Sequence, residues 1–207
     1  MQSLKPKHQA DTLGEFLWKV ALYMRYGYLR YAVRTIPEGK EFTKVDENIQ
    51  RDFSVSRNRM ERMRRRKKGL ANVVFVRFNH TVIRLATDGT HELFDKIDAL
   101  DFRQNPLHFS GYSIGIKGHK PYIQITGRRF KAIRKQGQGI ALHNHRKVTD
   151  YVQRISPFSF SGVADQRWKL VKEINRRRKK AGVPRIQWEE AKRWKGRRGS
   201  PDYPKKK

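Results

Sequence analysis

Ala71-Asn-Val-Val-Phe-Val-Arg-Phe78 and Thr81-Val-Ile-Arg-Leu-Ala-Thr87 are two runs rich in β-branched and aromatic residues, and only Asn79-His80 separates them. Residues of these types favour strands, and a two-residue connection joins antiparallel strands. The sequence therefore predicts a β-hairpin over 71–87, and the rest of the fold is built around it.

A second hairpin is predicted from two further segments, 109–117 and 121–126, with the turn at 118–120. Apolar residues alternate along its first strand, which is typical of a strand with one buried face. Pro121 is acceptable where it stands, because the first residue of an edge strand need not donate a ladder hydrogen bond.

Two helices are predicted before the first hairpin. Thr12 and Glu15 have the spacing of a capping box, and apolar residues recur at helical spacing as far as Tyr31, so we expect a helix that stops before Pro37. A very basic helix is expected between Ser54 and Lys68, capped by Ser56 and ended by Gly69.

The remaining segments also show helical patterns. A short helix is predicted within 88–103, with Leu93, Phe94, Ile97 and Leu100 on one side. After the second hairpin we predict helices over about 128–135, broken by the glycines of 137–139, over about 140–155 and over about 163–180.

The order of these elements indicates an α+β fold. Two antiparallel β-hairpins form a small sheet that helices cover on one face, and a basic helical C-terminal region and tail follow. We predict a polar leader over 1–10, a single α+β nucleic-acid-binding domain over 11–195 that is helical from about 127, and a basic tail over 196–207.

The charge balance indicates the class of partner. The chain has 48 Lys and Arg against 19 Asp and Glu, a formal net charge of +29, and no cysteine. Such a surplus repels itself unless a polyanion offsets it, and nucleic acid is the first candidate. No stretch has the ~18 consecutive apolar residues of a membrane-spanning helix, and Met1–Lys5 lead into no apolar signal-peptide core, so we expect no membrane partner and a cytoplasmic location.

The basic helix predicted over 54–68 is the strongest single indication of phosphate binding. Basic side chains occupy most of its circumference, and only Met60 and Met63 are apolar. The alternative is a solvated charged helix, but such helices interleave Glu at four-residue offsets, and here Glu61 stands alone among the basic residues.

Further basic clusters follow the second hairpin and end the last predicted helix. The predicted nucleic-acid-binding residues are Arg57, Arg59, Arg62, Arg64, Arg65, Arg66, Lys67, Lys68, Arg128, Arg129, Arg134, Lys135, Arg176, Arg177, Arg178, Lys179 and Lys180. Phe75, Tyr112 and Tyr122 are candidates for stacking on unpaired bases, although aromatic residues on a strand also fill cores.

The absence of common DNA-binding modules bears on which kind of nucleic acid is bound. The sequence has no zinc finger and no basic region leading into heptads, and the loop around Pro157 is too long for a helix-turn-helix. Recognition of shape and backbone remains, which favours structured RNA slightly over DNA. We therefore predict an RNA-binding or DNA-binding subunit of a nucleoprotein complex, with other proteins of that assembly as further partners and no cofactor.

The alternative function is enzymatic. Asp88, Glu92 and Asp95 belong to an acidic cluster that could hold Mg²⁺ beside a phosphodiester, and His91 could act as a general acid or base. This would be a metal-dependent nuclease or a strand-transfer enzyme of a mobile or defence element. The simpler interpretation is that these carboxylates are solvated or pair with arginines.

Overall fold

The computed structural model describes residues 8–192 and has an α+β fold. The predicted tail over 196–207 and the first seven residues of the predicted leader lie outside the described residues. Two compact units make up the described chain: residues 8–106 with 115–121, and residues 107–114 with 122–192. The prediction of a single domain stays a prediction, because two compact units can still unfold together.

The first unit contains one mixed sheet and three helices within its described residues. Its elements are β1 (Gln9–Ala10), α1 (Leu13–Arg25), β2 (Tyr28–Thr35), α2 (Phe42–Asp52), α3 (Arg59–Lys67), β3 (Val73–Phe78), β4 (Thr81–Thr87) and β5 (Leu100–Asp101). The strand order is β1-β3-β4-β2-β5, in which β1 runs parallel to β3 and the other neighbours are antiparallel.

The first predicted hairpin is confirmed as β3 and β4, with Val73 opposite Ala86 and Phe78 opposite Thr81. Asn79 in the turn has a φ of 50°, a left-handed conformation that Asn adopts more readily than most residues. Every residue of β3 except Phe78 is buried, so both faces of the sheet are covered rather than one.

The first predicted helix is wrong beyond Arg25. Thr12 is the N-cap as predicted, since its hydroxyl accepts the backbone N–H of Glu15 at 3.1 Å, but the Glu15 carboxylate accepts the N–H of Asp11 and so does not complete a capping box. The helix α1 ends at Arg25, and the chain returns as β2, antiparallel to β4. Tyr28 and Tyr31 are buried on this strand. The pairing register of β2 shifts just after Tyr28. A bulge of this kind moves the alternation of buried and exposed side chains by one residue, so two buried residues of a strand can stand three positions apart.

Different elements cover the two faces of the sheet. On one face α1 packs against β3, and the rings of Phe16 and Phe78 lie 5.8 Å apart. On the other face Ile49 of α2 belongs to the same buried cluster as Phe75 and Phe94. The sequence analysis missed α2, although its apolar residues recur at helical spacing.

The helix predicted within 88–103 is wrong, because residues 88–99 form turns and β5 follows. Phe94 is fully buried whereas Leu93 is exposed, so the apolar residues do not share one face. The Asp95 carboxylate accepts the backbone N–H of His91 at 2.7 Å, and local bonds of this kind stabilise turns at the expense of helix.

The second unit contains a three-stranded antiparallel sheet and four helices within its described residues. Its elements are β6 (Leu107–Phe109), β7 (Tyr112–Lys117), β8 (Lys120–Ile125), α4 (Gly127–Gly139), α5 (His145–Arg154), α6 (Ser161–Lys180) and α7 (Trp188–Ala191). The second predicted hairpin is confirmed as β7 and β8, of which residues 115–121 are grouped with the first unit. The two hairpins lie in separate sheets, not in the one small sheet that the sequence predicts.

The predicted break at the glycines of 137–139 is absent, since α4 continues to Gly139. Gly137 is buried, and a Cβ added there would lie 2.8 Å from Leu170 Cδ1. This glycine therefore allows α4 and α6 to approach closely, a role that outweighs its low helix propensity. The last predicted helix is confirmed as α6.

Candidate nucleic-acid interface

Six of the nine residues of α3 are Arg or Lys, and none of the nine is buried. Asn58, rather than Ser56, caps the helix: its side chain accepts the N–H of Glu61 at 2.9 Å, and the Glu61 carboxylate accepts the N–H of Asn58 at 3.1 Å. Glu61, the one acid of this helix, is therefore engaged in the capping box. Its charge lies at the N-terminus, where it also favours the helix dipole.

Arginine side chains attach α3 to the first unit in place of an apolar stripe. Arg65 donates to the carbonyl of Ala71 at 2.9 Å, and Arg66 donates to that of Tyr26 at 2.6 Å. The Asn72 amide in turn donates to the carbonyl of Arg62, in the middle of the helix, at 3.0 Å. A helix normally docks by burying apolar side chains, so this attachment leaves most of the α3 surface in solvent.

Four cations of α3 and of the residue after it reach solvent. Arg59, Arg64, Lys67 and Lys68 are exposed, and within residues 8–192 none of them forms an ion pair with a carboxylate. We call these four residues the α3 cation strip. Met60 and Met63 are exposed beside it, 54% and 43% respectively.

Two of the predicted arginines that lie near the strip share a cavity with a histidine. Arg57, Arg65 and His91 line one cavity of about 350 Å³. Burial, and then repulsion from Arg65, lowers the pKa of Arg57, while burial followed by repulsion from Arg65 and Arg57 lowers the pKa of His91. His91 is therefore more easily kept neutral here than in water.

The predicted basic residues of α4 differ in what they contact. Arg128, Arg129 and Lys135 are exposed. The Arg129 guanidinium also lies 5.7 Å from the centre of the Tyr112 ring. Arg134 forms an ion pair with Glu173 of α6 at 2.6 Å, so part of its charge is already matched.

The C-terminal cluster of α6 also divides into two kinds of residue. Arg176, Lys179 and Lys180 are exposed, and Arg177 is exposed while donating to the carbonyl of Gln138 at 2.6 Å. Arg178 is 1% exposed. Its guanidinium donates to the carbonyls of three residues, Ala141 at 2.7 Å, His143 at 2.9 Å and Pro184 at 2.6 Å. Those bonds occupy Arg178 in the interior of the unit, and we leave it out of the interface.

The three stacking candidates are not equally accessible. Phe75 is fully buried in the sheet, and Tyr112 is 2% exposed, with its hydroxyl 2.9 Å from that of Ser156. Tyr122 is half-buried and donates to Asp165 at 3.0 Å; burial, together with this carboxylate, raises its pKa to about 12. Of the three, Tyr122 is therefore the one whose ring reaches solvent.

The acidic candidates pair with cations. Asp88 bonds Arg103 at 2.8 Å, and Asp95 bonds Arg30 at 2.8 Å. The backbone N–H of His91, followed by Arg30, holds the pKa of Asp95 below its ordinary value. Glu92 is exposed and lies 3.8 Å from Lys96. Across residues 8–192 no group of three or more His, Cys, Asp and Glu side chains is arranged to hold a metal ion, so Asp88, Glu92 and Asp95 are not brought together.

One feature of the second unit was missed by the sequence analysis. Trp168 of α6 and Trp188 of α7 face each other in an edge-to-face arrangement, with ring centres 5.2 Å apart. They lie at a groove of about 580 Å³ whose lining includes Lys172, Arg176 and Arg185. By the sequence, Trp168 counts among the apolar residues of the last predicted helix, but in the structure it is exposed; its signal was a helical position on the charged side of α6.

No protein family, curated protein or solved structure matches this chain. None of the helices in the described part of the chain is both long and apolar enough to cross a membrane.

Proposed function

We propose that the protein binds nucleic acid mainly through the phosphate backbone, as a subunit of a nucleoprotein assembly. The α3 cation strip supports this proposal most directly. Four exposed cations, none of them paired with a carboxylate in the described chain, lie along a helix that buries nothing. Such a surface repels itself in isolation, and its binding to phosphates is favoured because the cations release the counterions that are condensed on the nucleic acid.

Two of the four residues of the strip, Arg59 and Arg64, are arginines, which suits phosphate contacts of defined geometry. A planar guanidinium can give two parallel hydrogen bonds to one phosphate, whereas an ammonium acts as a point charge. The half-buried Arg65 and the exposed Arg66 attach the helix through backbone carbonyls. The helix that carries the strip is therefore held in place before the ligand arrives, and binding orders less of the backbone.

Structured RNA is the preferred ligand class. The sequence has no zinc finger, no basic region leading into heptads and no loop short enough for a helix-turn-helix around Pro157, which leaves recognition of shape and backbone. Exposed basic residues on α3, α4 and α6 provide more than one surface within the two units, as a folded polyanion with several strands requires.

The test compares two triple variants of the full chain that lose the same charge. Arg64→Ala, Lys67→Ala and Lys68→Ala remove cations of the strip. Lys44→Ala, Arg51→Ala and Lys96→Ala remove cations that already pair with Glu41, Asp52 and Glu92, at 3.0, 3.1 and 3.8 Å.

Binding to a structured RNA is measured by fluorescence anisotropy over a salt titration. The strip variant is expected to lower the slope of log affinity against log salt by about 1 for each lost phosphate contact, on any sequence, and the control variant to change it by much less. Equal slopes for the two variants would refute the role of the strip. A wild-type chain that binds neither RNA nor DNA would refute the function itself.

A further inference from the structure

The groove between α6 and the segment 183–189 combines aromatic rings with cations. We call it the tryptophan groove and define it by Trp168, Lys172, Arg176, Lys179, Arg185 and Trp188, all of which line a volume of about 580 Å³. This volume lies within the range of pockets that hold small organic ligands.

Specific hydrogen bonds build the outer wall of the groove. Asn175 and Ile186 exchange two of them: the Asn175 amide donates to the Ile186 carbonyl at 2.8 Å, and the Ile186 N–H donates back at 2.9 Å. Arg178, one turn further along α6, donates to the carbonyl of Pro184. The segment is thus fixed against α6, and the groove is present without a ligand.

The same bonding network sets the position of Trp188. A capping box between Gln187 and Glu190 starts α7, and the Glu190 carboxylate also bonds His145 of α5 at 2.9 Å. Gln153 of α5 donates to the carbonyl of Glu190 at 2.6 Å. These contacts hold α7 against α5, so Trp188 stands beside Trp168 on a fixed support.

Trp168 is unusually accessible for its size. It is 43% exposed, and the Lys172 ammonium lies 5.6 Å from its ring centre. Trp188 meets it edge-to-face rather than stacked, which leaves ring surface of Trp168 in solvent. An exposed aromatic ring with a cation next to it suits a nucleotide, because the base can stack on the ring and the phosphate can pair with the cation.

The cations continue the groove away from the rings. Lys172, Arg176 and Lys179 follow one another at four- and three-residue steps and so lie on one side of α6, spread over about 10 Å of helix axis. With Arg185 on the opposite wall, all four are exposed, and within residues 8–192 none forms an ion pair with a carboxylate. Glu189 also lines the groove, and its carboxylate lies 3.9 Å from Lys192.

We propose that the tryptophan groove binds an unpaired segment of RNA, with a base stacked on Trp168 and phosphates on Lys172, Arg176, Lys179 and Arg185. This inference rests on the proposed function and makes it more specific, because it assigns single-stranded nucleotides to the second unit and backbone contacts to the α3 cation strip. The helix length covered by the cations matches about three nucleotides of a stacked strand.

The experiment uses the full chain, an eight-nucleotide oligouridine and a blunt-ended RNA duplex. Trp168→Leu is expected to weaken oligouridine binding by about tenfold to a hundredfold, the usual effect of losing one stacking partner, and to change duplex binding by less than about threefold. Trp168→Phe retains an aromatic face and is expected to bind oligouridine within about fivefold of the wild type. Because Trp168 is exposed, neither change removes a core contact.

The other outcomes separate the two proposals. Trp168→Leu variants that bind both ligands like the wild type, or that lose both equally, would overturn the groove as a single-strand site and leave the proposed function standing. A tryptophan fluorescence signal that does not change when oligouridine saturates the protein would also overturn it. If the wild type binds neither oligouridine nor duplex, the proposed function fails and the groove assignment fails with it.

Discussion

Helices α3 and α6 both read as basic in the sequence, but they are attached to their units in different ways. None of the residues of α3 is buried, whereas α6 buries eight, among them Val163, Leu170 and Ile174. Three arginines of α3, Arg62, Arg65 and Arg66, donate to three backbone carbonyls and leave the rest of the helix in solvent. In α6 the apolar stripe docks the helix, and Arg167 and Arg178 lie within that stripe.

The difference shows that the number of basic residues does not measure a nucleic-acid surface. Arg178 lies between Arg177 and Lys179 in a run of five basic residues, yet it is buried and bonds three carbonyls. Arg64 lies in a similar run on α3 and is exposed. Position relative to the core decides which arginine stabilises the fold and which is available to a ligand.

Arg178→Met has the largest expected effect on stability. The change leaves three carbonyls without their donor, and we expect the free energy of unfolding to fall by about 3 to 4 kcal/mol, since an unsatisfied buried acceptor costs about 1–3 kcal/mol. Urea denaturation followed by circular dichroism measures it. Arg176→Met, an exposed position on the same helix, is the matched control and should stay within about 0.5 kcal/mol of the wild type. Equal losses for the two variants would contradict a structural role for Arg178.

Gly162→Ala tests how closely α6 is docked. A Cβ added at Gly162 would overlap the backbone carbonyl of Ile123, and it would lie 2.8 Å from the Tyr122 ring. Overpacking against a backbone atom costs up to about 3 kcal/mol, so we expect a clear fall in the melting temperature. Gly139→Ala at the end of α4 meets no atom within 4 Å and should be neutral or stabilising by up to about 1 kcal/mol. If Gly162→Ala melts with the wild type, α6 is less tightly held than described.

Asp46→Asn tests how the buried arginine of the first unit is stabilised, since Arg77 pairs with a carboxylate whereas Arg178 in the second unit bonds carbonyls. Burial by itself raises the pKa of Asp46, but hydrogen bonds from His8 and Arg77 outweigh it and hold the pKa below its ordinary value. The Asp46 carboxylate bonds Arg77 at 2.9–3.0 Å and His8 at 2.9 Å. Its contribution to stability is therefore complete above pH ~4 and is lost as the pH falls through the lowered pKa.

We expect Asp46→Asn to cost about 2 kcal/mol at neutral pH, because it removes the charge that matches buried Arg77. The loss should shrink below pH ~4, where the wild type also loses the carboxylate charge. Urea unfolding between pH 3 and pH 7 measures both. Asp98→Asn, an exposed change, should leave the wild-type acid sensitivity in place. An Asp46→Asn variant whose deficit is constant with pH would contradict the assignment.

Parts of the fold were predictable because local chemistry specifies them. The runs around Asn79 gave a correct hairpin, and the Thr12 cap and the end of α6 were also correct. The predictions failed where spacing was ambiguous. The three-residue step between Tyr28 and Tyr31 fits a helix, but in this chain it arises from a bulge in β2. Gly137 was predicted to break the helix because the sequence does not show that this glycine packs against Leu170 of another helix.

For the candidate site, the sequence predicted the basic clusters but not which of their residues are buried and which are exposed. Nothing local distinguishes Arg178 from Arg177, and Phe75 and Tyr112 looked like stacking platforms until their burial was known. Trp188 was missed because its neighbour Trp168 is twenty residues away in the chain, and the Asn175–Ile186 bonds that attach its segment to α6 are side chain to backbone.

By itself, the sequence determined the α+β class, the two hairpins and the surplus of positive charge, because strand propensity, turn chemistry and net charge are local or additive properties. Only the tertiary structure decided that the hairpins form separate sheets, that both faces of the first sheet are covered, and which cations face solvent. The physical reason is that burial depends on contacts between residues distant in the chain, and the same guanidinium bonds a carbonyl inside the protein or a phosphate outside it.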